Sequence, residues 1–348
     1  MPSVHVPLAG EFVSESDRRR LRDVVAPLQG SVTATAIGQL ASTFLPFLAL
    51  EVALYAAFDL SYWLVLTLAV PAAGFLVRIF IIQHDCGHGS FLARRRTNDL
   101  VGRLCSLATL APYSHWRRQH AGHHSVWNQL DHRESGLDLY STCLTLAEYR
   151  ALPAARRFRY RAIQHPAIAL LLLPPVIFVV LYRVPFDTPL SWRRERRGVH
   201  LTTLALVALY GGLGWLLGYG AVAAVQLPVI ALAAIAGVWL FSLQHRFENV
   251  RWARGDRWER ASAALHGSSH LDLPAPLEWL TGHIGFHHVH HLNARIPNYR
   301  LAEAHRALGT CAVLPEPLNL RRALGASRFA LWDEANDRMI RFPRGGAA

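Results

Sequence analysis

Two long apolar runs follow each other closely in the first quarter of the chain. They cover residues 37–58 and 61–83, and Asp59 and Leu60 separate them. At a rise of 1.5 Å per residue, a helix of about 22 residues spans roughly 33 Å, which matches the hydrocarbon core of a bilayer. The pattern therefore predicts two transmembrane helices joined by a tight turn.

A second pair of apolar runs, at residues 200–218 and 221–243, predicts a second transmembrane hairpin. A further run, residues 165–183, carries Pro174 and Pro175 at its centre and has clusters of Arg on both sides. A proline pair disrupts a regular helix, and flanking Arg residues are typical of the cytoplasmic side of a membrane. We therefore predict that this run is re-entrant or interfacial, with a kinked spanning helix as the alternative.

Together these runs predict an all-α integral membrane protein with two transmembrane hairpins, interfacial helices and a cytoplasmic helical cap. The chain, 1–348, is expected to form one domain. Its parts are a cytoplasmic N-terminal segment (1–36), the first hairpin (37–83), a histidine-rich stretch with interfacial segments (84–199), the second hairpin (200–243) and the cap (244–348). The two predicted outer turns contain no Arg, and the Arg clusters lie on the predicted inner side, so both termini are expected in the cytoplasm.

Composition agrees with a membrane protein and limits the classes of partner. Hydrophobic residues make up 52% of the chain and charged residues 17%, and the net charge is +12. A basic excess also occurs in nucleic-acid-binding proteins, but the sequence contains no aromatic-basic repeat or nucleic-acid motif, so we expect no nucleic acid partner. Two charges fall within predicted spans. Arg78 is expected to reach the cytoplasmic interface, and we assign no role to Glu51.

Nine histidines gather at the ends of the apolar runs, in three short motifs and one single position. The motifs are HDCGH with His84 and His88, HAGHH with His120, His123 and His124, and HHVHH with His287, His290 and His291, while His245 stands alone. Residues at i, i+3 and i+4 share one face of a helix, so each motif is expected to aim its rings at one point. Neutral imidazole nitrogen is a good ligand for iron, zinc and copper. The pattern therefore predicts a metal site.

The number and type of these ligands favour two iron ions. Nine nitrogens are too many for one ion and suit two ions with four or five ligands each. A structural zinc site would favour four ligands, often with cysteine, and Cys86 is the only cysteine in a motif. The zinc-protease motif H-E-x-x-H is excluded because Asp85 stands where it requires Glu. We interpret the cluster as a dinuclear, all-histidine iron site.

Acidic residues next to the motifs are candidates for orienting the ligand rings. A carboxylate that accepts a hydrogen bond from one ring nitrogen fixes the other nitrogen towards the metal. Asp85 and Glu248 are the better candidates, because they lie within a motif or three residues from a ligand, and Asp131 and Asp138 are weaker ones.

The flanks of the motifs carry a resemblance to a known family. The stretches HDCGHGSF, RRQHAGHHSVWNQLD, VWLFSLQHRFENVRW, ALHGSSHLDLP and TGHIGFHHVHHLNARIPNYRL resemble those of the membrane fatty acid desaturases. The similarity runs through nearly the whole chain and is greatest to the bacterial acyl-lipid desaturases of the phospholipid Δ5 type. Two positions depart from it: His283 stands where relatives usually carry Asn, and Ala294 where many carry Pro. His283 could join the site or replace a water-mediated contact.

The resemblance implies a fold, a cofactor and an activity. All nine histidines are then ligands of two Fe2+ ions, and four helices span the inner membrane of a bacterium with the active site on the cytoplasmic side. The enzyme would use O2 as co-substrate to introduce a cis double bond into the acyl chain of a membrane lipid. The alternatives are a related diiron hydroxylase or ketolase of a lipid or carotenoid, and a non-enzymatic haem protein or metal carrier.

The sequence also bears on the electron donor and the substrate channel. It contains no C-x-x-C-H haem motif and no nucleotide-binding fingerprint, so an external carrier, ferredoxin or flavodoxin, is expected to supply electrons. Apolar residues on the two hairpins just below the motifs are expected to line the acyl channel, namely Phe75, Ile79, Trp239 and Leu240. Double-bond position, chain length, oligomeric state and the acyl carrier (phospholipid, CoA or carrier protein) stay open.

Overall fold

The computed structural model describes residues 13–133, 140, 142–312 and 314–343, with the backbone alone at Asp256. The helices are α1 (Glu15–Val25), α2 (Thr33–Phe58), α3 (Tyr62–His88), α4 (Arg95–Thr109), α5 (Tyr113–Val126), α6 (Leu146–Ala151), α7 (Ala154–Ile163), α8 (Leu173–Val179), α9 (Arg193–Leu217), α10 (Tyr219–His245), α11 (Arg260–His266), α12 (Ala275–Leu280), α13 (His287–Leu292), α14 (Leu301–Gly309) and α15 (Leu320–Ala326). The short strands are β1 (Leu144–Thr145), β2 (His270–Asp272), β3 (Pro317–Asn319), β4 (Leu331–Asp333) and β5 (Arg338–Ile340).

Four helices of the described chain are long and apolar enough to cross a membrane: α2, α3, α9 and α10. This confirms the predicted all-α membrane fold with two helical hairpins. α3 lies at the centre and packs against α2, α4 and α10. α2 and α9 instead expose large apolar side chains such as Leu45, Val52, Leu204 and Val207, as expected of surfaces that contact lipid.

The observed helices are longer than the apolar runs that predicted them. α3 continues through the first histidine motif and ends at His88, because nothing in HDCGH breaks a helix before Gly89. Gly89 caps α3 with φ at 74°, a left-handed conformation that glycine adopts without strain. α10 likewise ends on His245, so three of the predicted ligands lie on the membrane helices themselves.

The proline-containing run at 165–183 is helical but irregular. A π-helix (Ala167–Leu172) precedes α8, and the axis bends by 50° between α7 and the segment Ala167–Arg183. The bent pair could be one broken span or a re-entrant loop, and its re-entrant or interfacial course stays a prediction. One side of the segment faces outward through Leu171, Leu172 and Val180, which are exposed.

The C-terminal region mixes short strands with helices. β1 pairs with β4 in parallel and β4 with β5 antiparallel, while β2 and β3 form a separate parallel pair. The sequence predicted helices alone here, because strands of two or three residues are too short for an alternating pattern to be recognised. These strands tie residues 144–145 and 270–272 to the last thirty described residues.

The two charged residues within the predicted spans, Arg78 and Glu51, both have partners in the structure. Arg78 is buried rather than directed to solvent: its Nε donates to Thr43 Oγ1 at 3.1 Å, its Nη1 donates to the Trp279 carbonyl, and its guanidinium lies 3.9 Å from the centre of the Trp279 ring. It thereby joins α3 to α12. Glu51 on α2 accepts a hydrogen bond from Nε2 of Gln226 on α10, which joins the two hairpins.

Candidate metal centre

The nine histidines of the motifs come from four helices and meet in one buried region. α3 supplies His84 and His88 one turn apart, and α10 ends on His245. The second motif lies on α5 and the third on α13, so both are helical, as their spacing predicts. Eight of the nine are buried, and His88 is partly buried.

The rings form two groups, each able to hold a metal ion. The first histidine group is His84, His88, His120, His124 and His290, and the second is His123, His245, His287 and His291. Within each group the candidate ligand atoms all lie within 4.8 Å of one another. The division into five and four ligands agrees with the numbers expected from the sequence.

Each three-histidine motif is divided between the groups, so the expectation that one motif aims at one point is wrong. At about 100° per residue, positions i and i+4 on a helix are about 40° apart, whereas i+3 lies about 60° from i in the other direction. On α5 the i, i+4 pair joins the first group and His123 the second. On α13 the i, i+4 pair joins the second group and His290 the first. The two helices therefore exchange one ligand each.

Distances in the first group fit a common metal ion. Nε2 of His124 lies 3.1 Å from Nε2 of His120 and 3.0 Å from Nε2 of His290. Two nitrogens bound at about 2.1 Å to one metal at right angles would be about 3.0 Å apart. Nε2 of His88 is buried with no hydrogen-bond partner, as expected of a nitrogen that ligates a metal.

The second group shows the same spacing. Nε2 of His245 lies 3.0 Å from Nε2 of His123 and 3.1 Å from Nε2 of His287. Both ring nitrogens of His291 are buried without a hydrogen-bond partner. The donor atoms of the two groups thus fit two metal ions with imidazole ligands, one in each group.

The histidines on α5 and α13 lie outside the membrane helices. Their burial favours the neutral imidazole, which is the form that binds a metal. Burial first, and then the neighbouring imidazoles, lower the pKa of His120, His124, His287, His290 and His291 well below the usual histidine value. An imidazole must be unprotonated at the ligating nitrogen. These five rings are therefore neutral at physiological pH even before a metal binds.

Hydrogen bonds to Nδ1 orient two of the rings. Nδ1 of His84 lies 3.0 Å from Oδ1 of Asp85, and Asn298 donates its backbone N–H and its Nδ2 to Oδ2 of the same carboxylate, at 2.6 and 2.8 Å. Nδ1 of His245 donates to the carbonyl of Gly267 at 3.2 Å. Both contacts occupy Nδ1 and leave Nε2 available to ligate a metal ion. Sequence analysis found Asp85 but missed Asn298 and Gly267.

Among the described residues, Glu248, Asp131 and His283 were candidates too, and none of them orients a ring of the two groups. Glu248 follows α10 and is exposed. Asp131 is exposed too and accepts hydrogen bonds from Arg254 and from the backbone of Gly255. Nδ1 of His283 lies 2.7 Å from Oε1 of Glu278, so this nitrogen is occupied by an acidic residue outside the two histidine groups. A fourth candidate, Asp138, lies outside the described residues.

An apolar cavity of about 420 Å³ adjoins both histidine groups. It lies between α3, α8 and α10, and its wall includes the rings of His84, His120, His123 and His287, two from each group. Its apolar wall includes Leu76, Val77, Phe80 and Ile81 on α3, Ile177 and Phe178 on α8, and Ile230, Ala233, Ala234, Gly237, Val238, Leu240 and Phe241 on α10. This shape suits a long hydrocarbon chain.

Of the four residues expected in this channel, Leu240 alone lines the cavity. The expectation is wrong for Phe75, Ile79 and Trp239. The sequence indicated how far along each helix the channel lies, but not which face of the helix lines it. Phe75 turns away to pack edge-on against Trp279, with 5.9 Å between the ring centres. Ile79 is fully buried in the apolar core.

Comparison with known proteins gives the family. The sequence model of the family described as Fatty acid desaturase matches residues 61–317. The chain belongs to the fatty acid desaturase family. The match includes all nine histidines of both groups and confirms the resemblance seen in the motif flanks.

Three fatty acid desaturases illustrate the similarity. The Fatty acid desaturase of Bacillus subtilis is 39% identical over 325 residues, which are 93% of this chain and 91% of that protein. The sn-1 oleoyl-lipid 12-desaturase of Synechocystis is 29% identical over 294 residues, 79% of this chain and 72% of that protein. The sn-1 acyl-lipid omega-3 desaturase (ferredoxin) of Nostoc is 30% identical over 249 residues, 66% of this chain and 63% of that protein.

Proposed function

We propose that this protein is an acyl-lipid desaturase that uses O2 and two iron ions to introduce a cis double bond into the acyl chain of a membrane lipid. The observation that carries the proposal is the apolar cavity among the membrane helices with rings of both histidine groups in its wall. Membership of the fatty acid desaturase family supports the same reaction.

The residues of the chain bind the substrate and hold the site. An acyl chain in the cavity would lie between α3 and α10, with one methylene segment beside the histidine groups. Two bound iron ions would supply the oxidising chemistry with O2, which no side chain provides. Asp85 and the Gly267 carbonyl orient the rings, and the apolar wall keeps water from the reacting carbons.

The names of two relatives support a lipid-linked substrate and a protein electron donor. One relative acts on an sn-1 oleoyl lipid and another is named for an sn-1 acyl lipid and for ferredoxin. We therefore infer that the acyl chain is esterified in a membrane lipid and that ferredoxin or flavodoxin supplies the electrons. We further infer that the site faces the cytoplasm from the inner membrane of a bacterium.

A hydroxylase or ketolase that uses a similar site is the alternative reaction. Product analysis separates it from desaturation. We expect a bacterium that expresses the protein to accumulate fatty acids that have lost two hydrogens, and the His290→Ala variant to produce none. Fatty acids that gain one oxygen as the main product would contradict the proposal.

A further inference from the structure

One tryptophan contacts both histidine groups from the side away from the cavity. Trp127 directly follows α5 and is buried. Its ring centre lies 4.4 Å from that of His291, in the second group, and 6.2 Å from that of His124, in the first. The rings of His124 and His291 stack on each other with 4.2 Å between their centres. Trp127 therefore covers the place where the two groups meet.

Other aromatic residues near the histidines serve the cavity instead. Trp116 contacts His84 and His120, and Phe241 contacts His123 and His245. Both Trp116 and Phe241 are part of the cavity wall, whereas Trp127 is not. The packing role of the cavity aromatics therefore does not account for Trp127.

A second tryptophan continues from Trp127 towards solvent. Trp258 is partly buried and meets Trp127 edge-on, with 5.4 Å between ring centres and 80° between planes. Its Nε1 donates a hydrogen bond to the Trp127 carbonyl at 2.8 Å. Two indole rings in contact thus connect the ligand rings with the surface of the protein.

Two exposed arginines lie beside Trp258. Arg257 and Arg260 precede and follow it and are both exposed, and the guanidinium of Arg260 lies 5.4 Å from the centre of the Trp127 ring. The other two Arg of the segment 251–260 are paired, Arg254 with Asp131 and Glu334 and Arg251 with Asp337, whereas Arg257 and Arg260 form no ion pair within the described residues. Such a surface attracts an acidic partner and speeds its encounter with the protein.

We propose that Trp127 and Trp258 form the electron entry route of the proposed desaturase and that Arg257 and Arg260 dock an acidic one-electron carrier protein of the ferredoxin class. The inference rests on the proposed function, which needs two electrons per turnover from outside the chain. In each of two transfers the carrier is oxidised by one electron and the metal centre is reduced by one. The indoles return to their starting state, and no bond forms or breaks.

The docking half of the proposal is tested by binding to the Fe2+-loaded protein in nanodiscs without O2. We expect the Arg257→Glu/Arg260→Glu variant to bind a reduced [2Fe–2S] ferredoxin at least about tenfold more weakly than the unchanged protein, and salt to have less effect on what binding is left. The matched control is Arg321→Glu/Arg322→Glu, which makes the same change of charge on α15, where both residues are exposed. Unchanged ferredoxin affinity would overturn the docking site. Weaker binding of the variant to anionic vesicles with unchanged ferredoxin affinity would assign the surface to lipid instead.

The conduction half is tested by the rate at which reduced ferredoxin loses its electron to the iron-loaded protein, with the iron first oxidised to Fe3+ and with O2 and lipid absent. Trp258→Leu should slow this transfer at least tenfold at saturating ferredoxin, and Trp258→Phe should slow it less. Iron content and reduction by dithionite, a small molecule that does not need the docking surface, should not change. The control Trp215→Leu removes an exposed tryptophan at the end of α9. A normal rate in Trp258→Leu, or an equal slowing with dithionite, would overturn the route.

The two reductants also keep this inference separate from the proposed function. When the iron is reduced with dithionite, the excess dithionite is removed and O2 is then added, the unchanged protein and Trp258→Leu should both form the unsaturated lipid. No product from either protein would contradict the proposed function. Product from both, with normal ferredoxin transfer in Trp258→Leu, would contradict the route alone.

Discussion

The carboxylate of Asp85 accepts a hydrogen bond from Nδ1 of His84 at 3.0 Å, and both side chains are buried. A carboxylate can only accept here, so the ring carries its hydrogen on Nδ1 and presents the lone pair of Nε2 to the first histidine group. The second carboxylate oxygen is held by Asn298, whose Oδ1 in turn accepts a hydrogen bond from Gln39 at 2.8 Å. A chain of polar side chains thus fixes one ligand from α2 and from the segment before α14.

Removal of this carboxylate should weaken metal binding without removing a ligand. We expect Asp85→Ala to lower iron affinity by about 10- to 100-fold, because the His84 ring loses its orientation. Competition of the purified variants with a chelator measures this change. The matched control is Asp59→Asn, an exposed acid in the turn between α2 and α3, which should bind iron normally. Equal affinities for both variants would show that Asp85 does not position the ring.

The division of the histidines predicts separate losses of metal. The purified protein should contain close to two iron ions per chain, and His88→Ala or His287→Ala should each reduce this to about one, because each change affects one group. Both variants should be inactive, since the reaction needs both ions. Metal analysis together with product analysis tests this. Loss of all iron from either single variant would mean that the groups do not bind independently.

Local features of the sequence were sufficient for the four long helices and the nine histidines. Apolar runs report helix length directly, and the spacing of three and four residues reports a helical face. The exchange of His123 and His290 between the groups was not predicted, because it depends on how α5 and α13 are rotated against each other. That rotation follows from tertiary packing, and the spacing of residues within one helix does not predict it.

Contacts between distant residues account for the other differences. Asn298 was missed because its partner Asp85 lies 213 residues earlier in the chain. Phe75 and Ile79 were expected in the channel because they lie at the correct depth below the first motif. The apolar cavity wall on α3 is instead formed by Leu76, Val77, Phe80 and Ile81. A hydropathy pattern that is apolar on every side, as in α3, does not reveal which side faces a cavity.

His283 departs from the resemblance to relatives and yields a prediction about backbone conformation. Its φ is 57°, in the left-handed region, where Asn is more readily accommodated than most residues. We expect His283→Asn to retain iron content and activity despite the loss of the contact with Glu278. His283→Val should instead destabilise the protein by about 1–3 kcal/mol, because a branched side chain is strained at this φ. Thermal unfolding measures both changes. Inactive but fully folded His283→Asn would indicate a direct role of His283 in the site.

The proposed orientation predicts which positions react with a membrane-impermeant thiol reagent. All four native cysteines are buried, so they should give little background. Ser61→Cys and Tyr219→Cys, in the two turns between spanning helices, should be labelled from outside intact cells. Thr310→Cys, an exposed position after α14, should be labelled only in inverted vesicles. Labelling of Thr310→Cys from outside would contradict the cytoplasmic location of the region that carries the third motif.

Gly237 offers a direct test of the cavity as the site of the acyl chain. It lines the cavity on α10, and a Cβ built there meets no other atom within 4 Å. Gly237→Leu should therefore fold normally, because a helix gains stability when Gly is replaced by a better helix former. Its new side chain would occupy the space between α3 and α10. We expect conversion of the natural lipid to fall at least about tenfold, which corresponds to about 1.4 kcal/mol.

The control for this change is Gly212→Leu on α9. An added Cβ at Gly212 also meets no atom within 4 Å, and Gly212 is not part of the cavity wall. That variant should keep its activity, and both variants should keep their iron, since neither position contacts a histidine of the two groups. Lipid profiling gives the conversion and metal analysis the iron content. Full activity in Gly237→Leu would place the acyl chain elsewhere. Loss of iron from it would mean that the effect is on the metal centre and not on the space for the chain. A fall in conversion with normal iron is the result that only a substrate channel predicts.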